Sequence, residues 1–125
     1  MTRTRRTLLG ALGVWVPPLA LMAIIFALSA QPDLSSGLGT LDLILRKIVH
    51  MAEYGLLLFL WWRALREVAP ARAALALAFA VTLAYAASDE YHQSFVEGRN
   101  GTPVDVVIDS VGMVAAAALI RVRAR

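Results

Sequence analysis

Four apolar stretches, separated by short hydrophilic segments, set the frame of the chain. The first covers 8–29 without a single charge, and at about 1.5 Å per helical residue it is long enough to cross a hydrocarbon core of about 30 Å. The others cover 48–65, 73–92 and 104–121, near the lower length limit for a crossing. Their apolar runs are shortened by polar groups at the ends: His50 and Glu53, Asp89 and Glu90, Asp105 and Asp109. The pattern predicts an all-α fold, an integral membrane four-helix bundle forming one domain over 1–125. Pro17-Pro18 is expected to kink or break the first helix, because proline removes backbone donors and clashes with the preceding turn. A cleaved signal peptide is the competing reading, with Arg3, Arg5 and Arg6 before the run and Ala27-Leu28-Ser29 as a cleavage site. The run exceeds the usual apolar region of about 7–15 residues, which favours a retained span.

Composition supports a lipid solvent. Hydrophobic residues make up 59% of the 125, against about 45–50% in soluble chains, and a chain of this length leaves no room for a separate soluble domain. Without cysteine, disulfides and thiolate chemistry are excluded. The basic residues are scattered over short segments rather than gathered into a stripe, which argues against a nucleic-acid partner. Their placement instead gives orientation. With the N-terminus inside, Arg3, Arg5, Arg6, Arg63, Arg66, Arg72, Arg121, Arg123 and Arg125 are all cytoplasmic, and only Arg46, Lys47 and Arg99 are outside. Both termini are therefore expected in the cytoplasm of a bacterial cell, the chain crossing its inner membrane. Trp61 and Trp62 then fall at the headgroup layer.

Acidic residues show the complement, since only Glu67 lies on the inner side. Insertion does not require this segregation, and ionisable groups in a span are costly enough to mark function or pairing. Lys47, His50 and Tyr54 follow one another at helical spacing on one stripe, with Glu53 on its flank. If the third helix continues through Gln93, Asp89 and Gln93 share a face beside His92, and the segment Ser88 to Gln93, which includes Glu90, is a concentrated donor and acceptor set. Asp105, Asp109, Gly112 and Ala116 form a stripe that passes from polar to small, suited to close helix contact, so its carboxylates are expected to point inward toward Lys47, His50 or Arg99. The loop carrying Gly98, Asn100-Gly101 and Pro103 can hold Arg99 over the helix ends, where a guanidinium suits phosphate or carboxylate. The plainer reading makes Lys47 a snorkelling helix end, Arg99 a counterion and the carboxylates interhelical glue.

Other chemistries have weaker support. His50 and His92 with Glu53, Asp89 and Glu90 include ligand types suited to zinc, but the spacing is not diagnostic and no metal is assigned. No Gly-x-Ser-x-Gly elbow occurs, and nothing identifies a cofactor. Residues Gln31 to Asp42 are a candidate lid.

Phe26-Ala27-Leu28-Ser29-Ala30-Gln31-Pro32, Lys47-Ile48-Val49-His50-Met51-Ala52-Glu53-Tyr54-Gly55, Asp89-Glu90-Tyr91-His92-Gln93, Gly98-Arg99 and Asp105, in this order, resemble the VanZ-like family over nearly the whole chain. That family is named after a member associated with low-level teicoplanin resistance. The resemblance implies recurrent polar positions at Ser29, Gln31, Lys47, His50, Glu53, Tyr54, Asp89, Glu90, Gln93, Arg99 and Asp105. Glu97 departs from a common proline, and Asp109 from a frequent asparagine, adding a charge that needs a partner.

The expected function is binding or modification of an anionic envelope lipid headgroup or lipid-linked precursor in an outward pocket. Lys47, Tyr54, Asp89, Gln93, Arg99 and Asp105 are the candidate ligand contacts, and His50, Glu53, Glu90 and His92 the candidate acid–base groups. The alternative is a non-catalytic module that holds a lipid, an antibiotic or an envelope protein. A proton-coupled transporter is disfavoured by the small number of spans. Oligomeric state is left open.

Overall fold

The computed structural model describes residues 8–29, 40–95 and 103–123. They form helices α1 (Leu8–Ser29), α2 (Thr40–Leu65), α3 (Ala71–Gln93) and α4 (Pro103–Arg123). Three of these, α1, α3 and α4, are long and apolar enough to cross a membrane. Helix α2 is the longest at 26 residues, about 39 Å, but Lys47, His50 and Glu53 dilute its apolar character. It occupies the middle of the bundle, packing against all three others and most extensively against α4, while α1 touches α2 and α3 but not α4.

The surface is apolar and part of the interior polar, the inverse of a soluble domain. Leu8, Leu19, Phe26, Ile48, Val107, Val114 and Leu119 are exposed, whereas Thr82, Asp89, Glu90, Gln93 and Asp109 are buried. This is the arrangement a bilayer requires, with helices satisfying their own backbone and ionisable side chains turned toward each other. The apolar core comprises Ile25, Tyr54, Leu57, Leu58, Ala78, Ala86, Met113 and Ile120.

Two local devices set the packing. Between α2 and α4, the backbones approach so closely that a Cβ on Gly112 would collide with the Met51 carbonyl, and one on Gly55 would lie 3.1 Å from the Gly112 oxygen. The small stripe at Gly112 and Ala116 is therefore the surface on which the helices meet. Of the kink or break expected at Pro17-Pro18, there is no break: α1 continues through both prolines. Proline at 17 has no N–H to give to the carbonyl four residues earlier. That carbonyl, on Gly13, instead accepts from Arg63 Nη2 at 2.6 Å. A neighbouring helix thus satisfies the group that proline leaves open, as spanning helices require. Trp15 and Trp61 meet edge to face at 6.4 Å, reinforcing the same seam.

Helix α2 extends beyond its apolar run, whereas α3 and α4 coincide with theirs to within about two residues. Helix α2 starts at Thr40 rather than Ile48, so Lys47 sits within a helix and not at its end. Its C-terminus closes through Arg66 N–H to the Trp62 carbonyl and Ala69 N–H to the Leu65 carbonyl, which satisfies carbonyls the helix leaves open. Pro70 then precedes α3, which continues to Gln93.

Gly112→Ala is expected to destabilise the detergent-purified protein by about 1–3 kcal/mol through overpacking, with a smaller effect for Gly55→Ala. Unchanged thermal unfolding of Gly112→Ala would refute the close approach. Arg63→Ala should lower the melting temperature in the natural sequence but much less in a Pro17→Ala background, where residue 17 regains its N–H. A double-mutant cycle should give a coupling of about 1 kcal/mol; strict additivity would separate Arg63 from the proline.

Candidate functional site

The polar groups converge at one end of the bundle from three helices. Helix α2 presents Lys47, His50 and Tyr54 along its stripe, and each meets an acidic residue on another helix. Lys47 Nζ donates to Asp105 Oδ1 at 2.8 Å. His50 Nδ1 lies 3.9 Å from Asp109 Oδ1, within ion-pair range when the imidazole is protonated. Tyr54, fully buried, donates its hydroxyl to Asp89 Oδ2 at 3.0 Å. The stripe therefore serves two neighbours: its first two residues face α4, and Tyr54, one turn deeper, faces α3. The imidazole of His50 stacks toward the Tyr54 ring at 6.3 Å, linking the two contacts.

Helix α3 supplies the buried wall. Its continuation to Gln93 places Asp89 and Gln93 one turn apart, and both are buried together with Glu90. Adjacent to them, His92 packs its ring on Phe26 at 4.5 Å, so α1 contributes an apolar side to this end. Glu53 is half-buried and near enough to Asp89 to interact electrostatically with it. Asp109 is likewise within the electrostatic reach of Glu90, Asp105 and Asp89. The carboxylates thus form one cluster in a medium where charges interact more strongly than in water.

Such a cluster requires compensation. Lys47 supplies some, and the Gln93 Nε2 donor and Asp109 Oδ2 acceptor are buried without a hydrogen-bond partner among the described residues. Each such atom costs about 1–3 kcal/mol. Arg99 and Glu97 lie outside the described residues, as do Gln31 and the side chain of Ser29. The candidate lid from Gln31 to Asp42 lies mostly outside them too. Among the described residues, no group of three His, Cys, Asp or Glu could hold a metal ion.

A profile of the VanZ/LLP1 family matches residues 14–124. The chain belongs to the VanZ/LLP1 family. No curated protein and no solved structure is detectably similar to it. In this VanZ/LLP1 chain, the matched region contains α2, α3, α4 and most of α1, and with them the whole described polar cluster.

One member of the cluster was not among the expected contacts. Tyr85 donates its hydroxyl to the Met22 carbonyl, and its ring lies 6.4 Å from that of Tyr54. It precedes Asp89 and Gln93 on the same face at successive four-residue steps, a spacing visible in the sequence when the pattern is followed one turn toward the centre. Asp109, by contrast, points inward as its stripe led us to expect. Its carboxyl group has His50 as its neighbour and is almost fully buried.

Tyr54→Phe is expected to lower stability by about 1–3 kcal/mol, because it leaves the buried Asp89 Oδ2 without its donor. Thermal unfolding in detergent measures it, and a melting curve identical to that of the natural protein would show that the Tyr54–Asp89 bond contributes nothing.

Proposed function

We propose that the polar end of this membrane protein is a pocket for an anionic headgroup of a bacterial envelope lipid or lipid-linked precursor. It opens at the outer face of the cytoplasmic membrane, with both termini inside. Convergence of ionisable groups from α2, α3 and α4 on one buried cluster carries this reading. Lys47 and Arg99 supply the cationic contacts, the first already set in place by Asp105. Gln93 Nε2 is a buried donor available to a ligand oxygen. His50, Glu53, Glu90 and His92 are the groups for proton transfer, since interacting titratable groups in a partly buried site can be poised for acid–base work. In this scheme Tyr54, Asp89 and Asp105 position the others and line the site.

A second reading has support from the composition of the wall. Asp89, Glu90 and Asp109 offer acceptors, which suit hydroxyl or ammonium donors better than phosphate. A non-catalytic module that holds a glycosylated lipid, a glycopeptide such as teicoplanin, or an envelope protein needs no acid or base, and any effect on glycopeptide susceptibility belongs to this reading.

Mass spectrometry of lipids and metals retained by the detergent-purified protein tests the pocket. The natural sequence is expected to retain one anionic lipid that an Arg99→Ala, His92→Ala double variant loses. Equal retention by both would refute the headgroup site. Glu90→Gln and His50→Ala then separate the readings: loss of cellular function with lipid retained supports proton transfer, whereas full function at equal protein level supports the non-catalytic module.

A further inference from the structure

The opposite end of the bundle carries a different chemistry. There, two grooves open side by side where the C-terminal part of α4 meets α2 and α3. One, of about 700 Å³, is lined by Phe59, Trp62, Ala116, Leu119, Arg66 and Arg123, among others. The second, of about 810 Å³, is lined by Leu75, Phe79, Ala117, Arg72 and Arg121, among others. Trp62, Ala71 and Ile120 line both, so the grooves flank a common ridge.

We propose that this pair of grooves binds a two-chain anionic phospholipid, one acyl chain on each side of the ridge and the phosphate among the four guanidinium groups. Charge complementarity identifies the occupant. Each groove has an apolar wall of aromatic, leucine and alanine side chains and two arginines on its rim, an apolar channel ending in positive charge. No ion pair engages Arg66, Arg72, Arg121 or Arg123 among the described residues. Arg66 is held in place instead by the Trp62 indole, its guanidinium carbon 4.5 Å from the ring centroid. A guanidinium stacked in this way keeps its N–H edge available for phosphate oxygens. Basic pockets between spanning helices on the cytoplasmic side are suited to anionic headgroups, each arginine adding about 1 kcal/mol of attraction near the surface. A zwitterionic lipid would fill the same grooves but bring its own cation against the arginines. This site is separate from the acidic cluster and does not depend on the function proposed for it.

Native mass spectrometry of the full chain, titrated in detergent with phosphatidylglycerol or phosphatidylcholine of identical chains, tests the site. The natural sequence should take up one tightly bound phosphatidylglycerol in preference to phosphatidylcholine. Arg66→Ala with Arg123→Ala should weaken phosphatidylglycerol about tenfold or more and leave phosphatidylcholine unchanged. Leu119→Ala, which keeps every arginine and alters only the groove wall, should weaken both lipids, and circular dichroism confirms that each variant is folded. Single-chain lysophosphatidylglycerol should bind more weakly than the two-chain lipid. The proposal is overturned if the natural protein shows no preference between the two headgroups, if the arginine variant retains it, if glycerol phosphate alone competes as well as the lipid, or if the grooves are closed by a second copy in a lipid-free dimer.

Discussion

The contact between the α2 and α4 backbones governs the rest of the arrangement. Gly112 rests against the Met51 carbonyl, and Gly55 faces Gly112 and Ala116. Because no side chain separates the helices there, their register is fixed to within a fraction of a turn. One turn toward the polar end, that register places His50 beside Asp109, and a further turn places Lys47 against Asp105. Larger residues at the crossing would separate the axes and draw the charged pairs apart, even though none of those residues would have changed. Close packing of small residues is the main attraction available between spanning helices, since lipid is as apolar as their side chains. The acidic cluster is held together by a contact that carries no charge.

Much of this was legible in the residues themselves. The stripe of Lys47, His50 and Tyr54 followed from helical spacing, as did the passage from Asp109 to Gly112 and Ala116. Both are repeats along one helix, which a sequence displays directly. The partners were less visible. That Tyr54 faces Asp89 while its stripe-mates face α4 depends on the angle at which three helices meet, and no spacing within one helix encodes it. The N-terminal extension of α2 was hidden for a different reason. Asp42, Arg46 and Lys47 end the apolar run at Ile48, yet helix formation does not require apolar residues. For Pro17, the sequence identifies which carbonyl loses its donor but not that Arg63 would reach it.

Charge asymmetry between the two ends has a physical counterpart in burial. At the polar end, Asp89, Glu90 and Asp109 are enclosed and act on one another. At the other, Arg72, Arg121 and Arg123 are exposed. A long arginine can cover apolar surface with its stem while its head reaches the interface. A short carboxylate has no such reach, so aspartates within a span must find protein partners. The arginine end is therefore adapted to the lipid surface, and the acidic end to whatever the bundle itself encloses.

Helix α2 brings these constraints together. It has the polar residues least compatible with hydrocarbon, and it is the helix that touches all the others. Charged groups at the middle of an isolated span cost about 2.5–3.5 kcal/mol on insertion scales, falling toward the interface. Lys47, near the polar end, has its partner, Asp105, on α4. On its other sides α2 is sheltered by α1 and α3, through a core that includes buried Ile25, Leu57, Leu58 and Ala78 and through the Arg63 bond to Gly13. Packing of Gly112 against α2 holds Asp105 and Asp109 on the same side, beside Lys47 and His50. The close backbone contact and the charged pairs thus lie on the same helix pair, so the packing that fixes the register also neutralises Lys47.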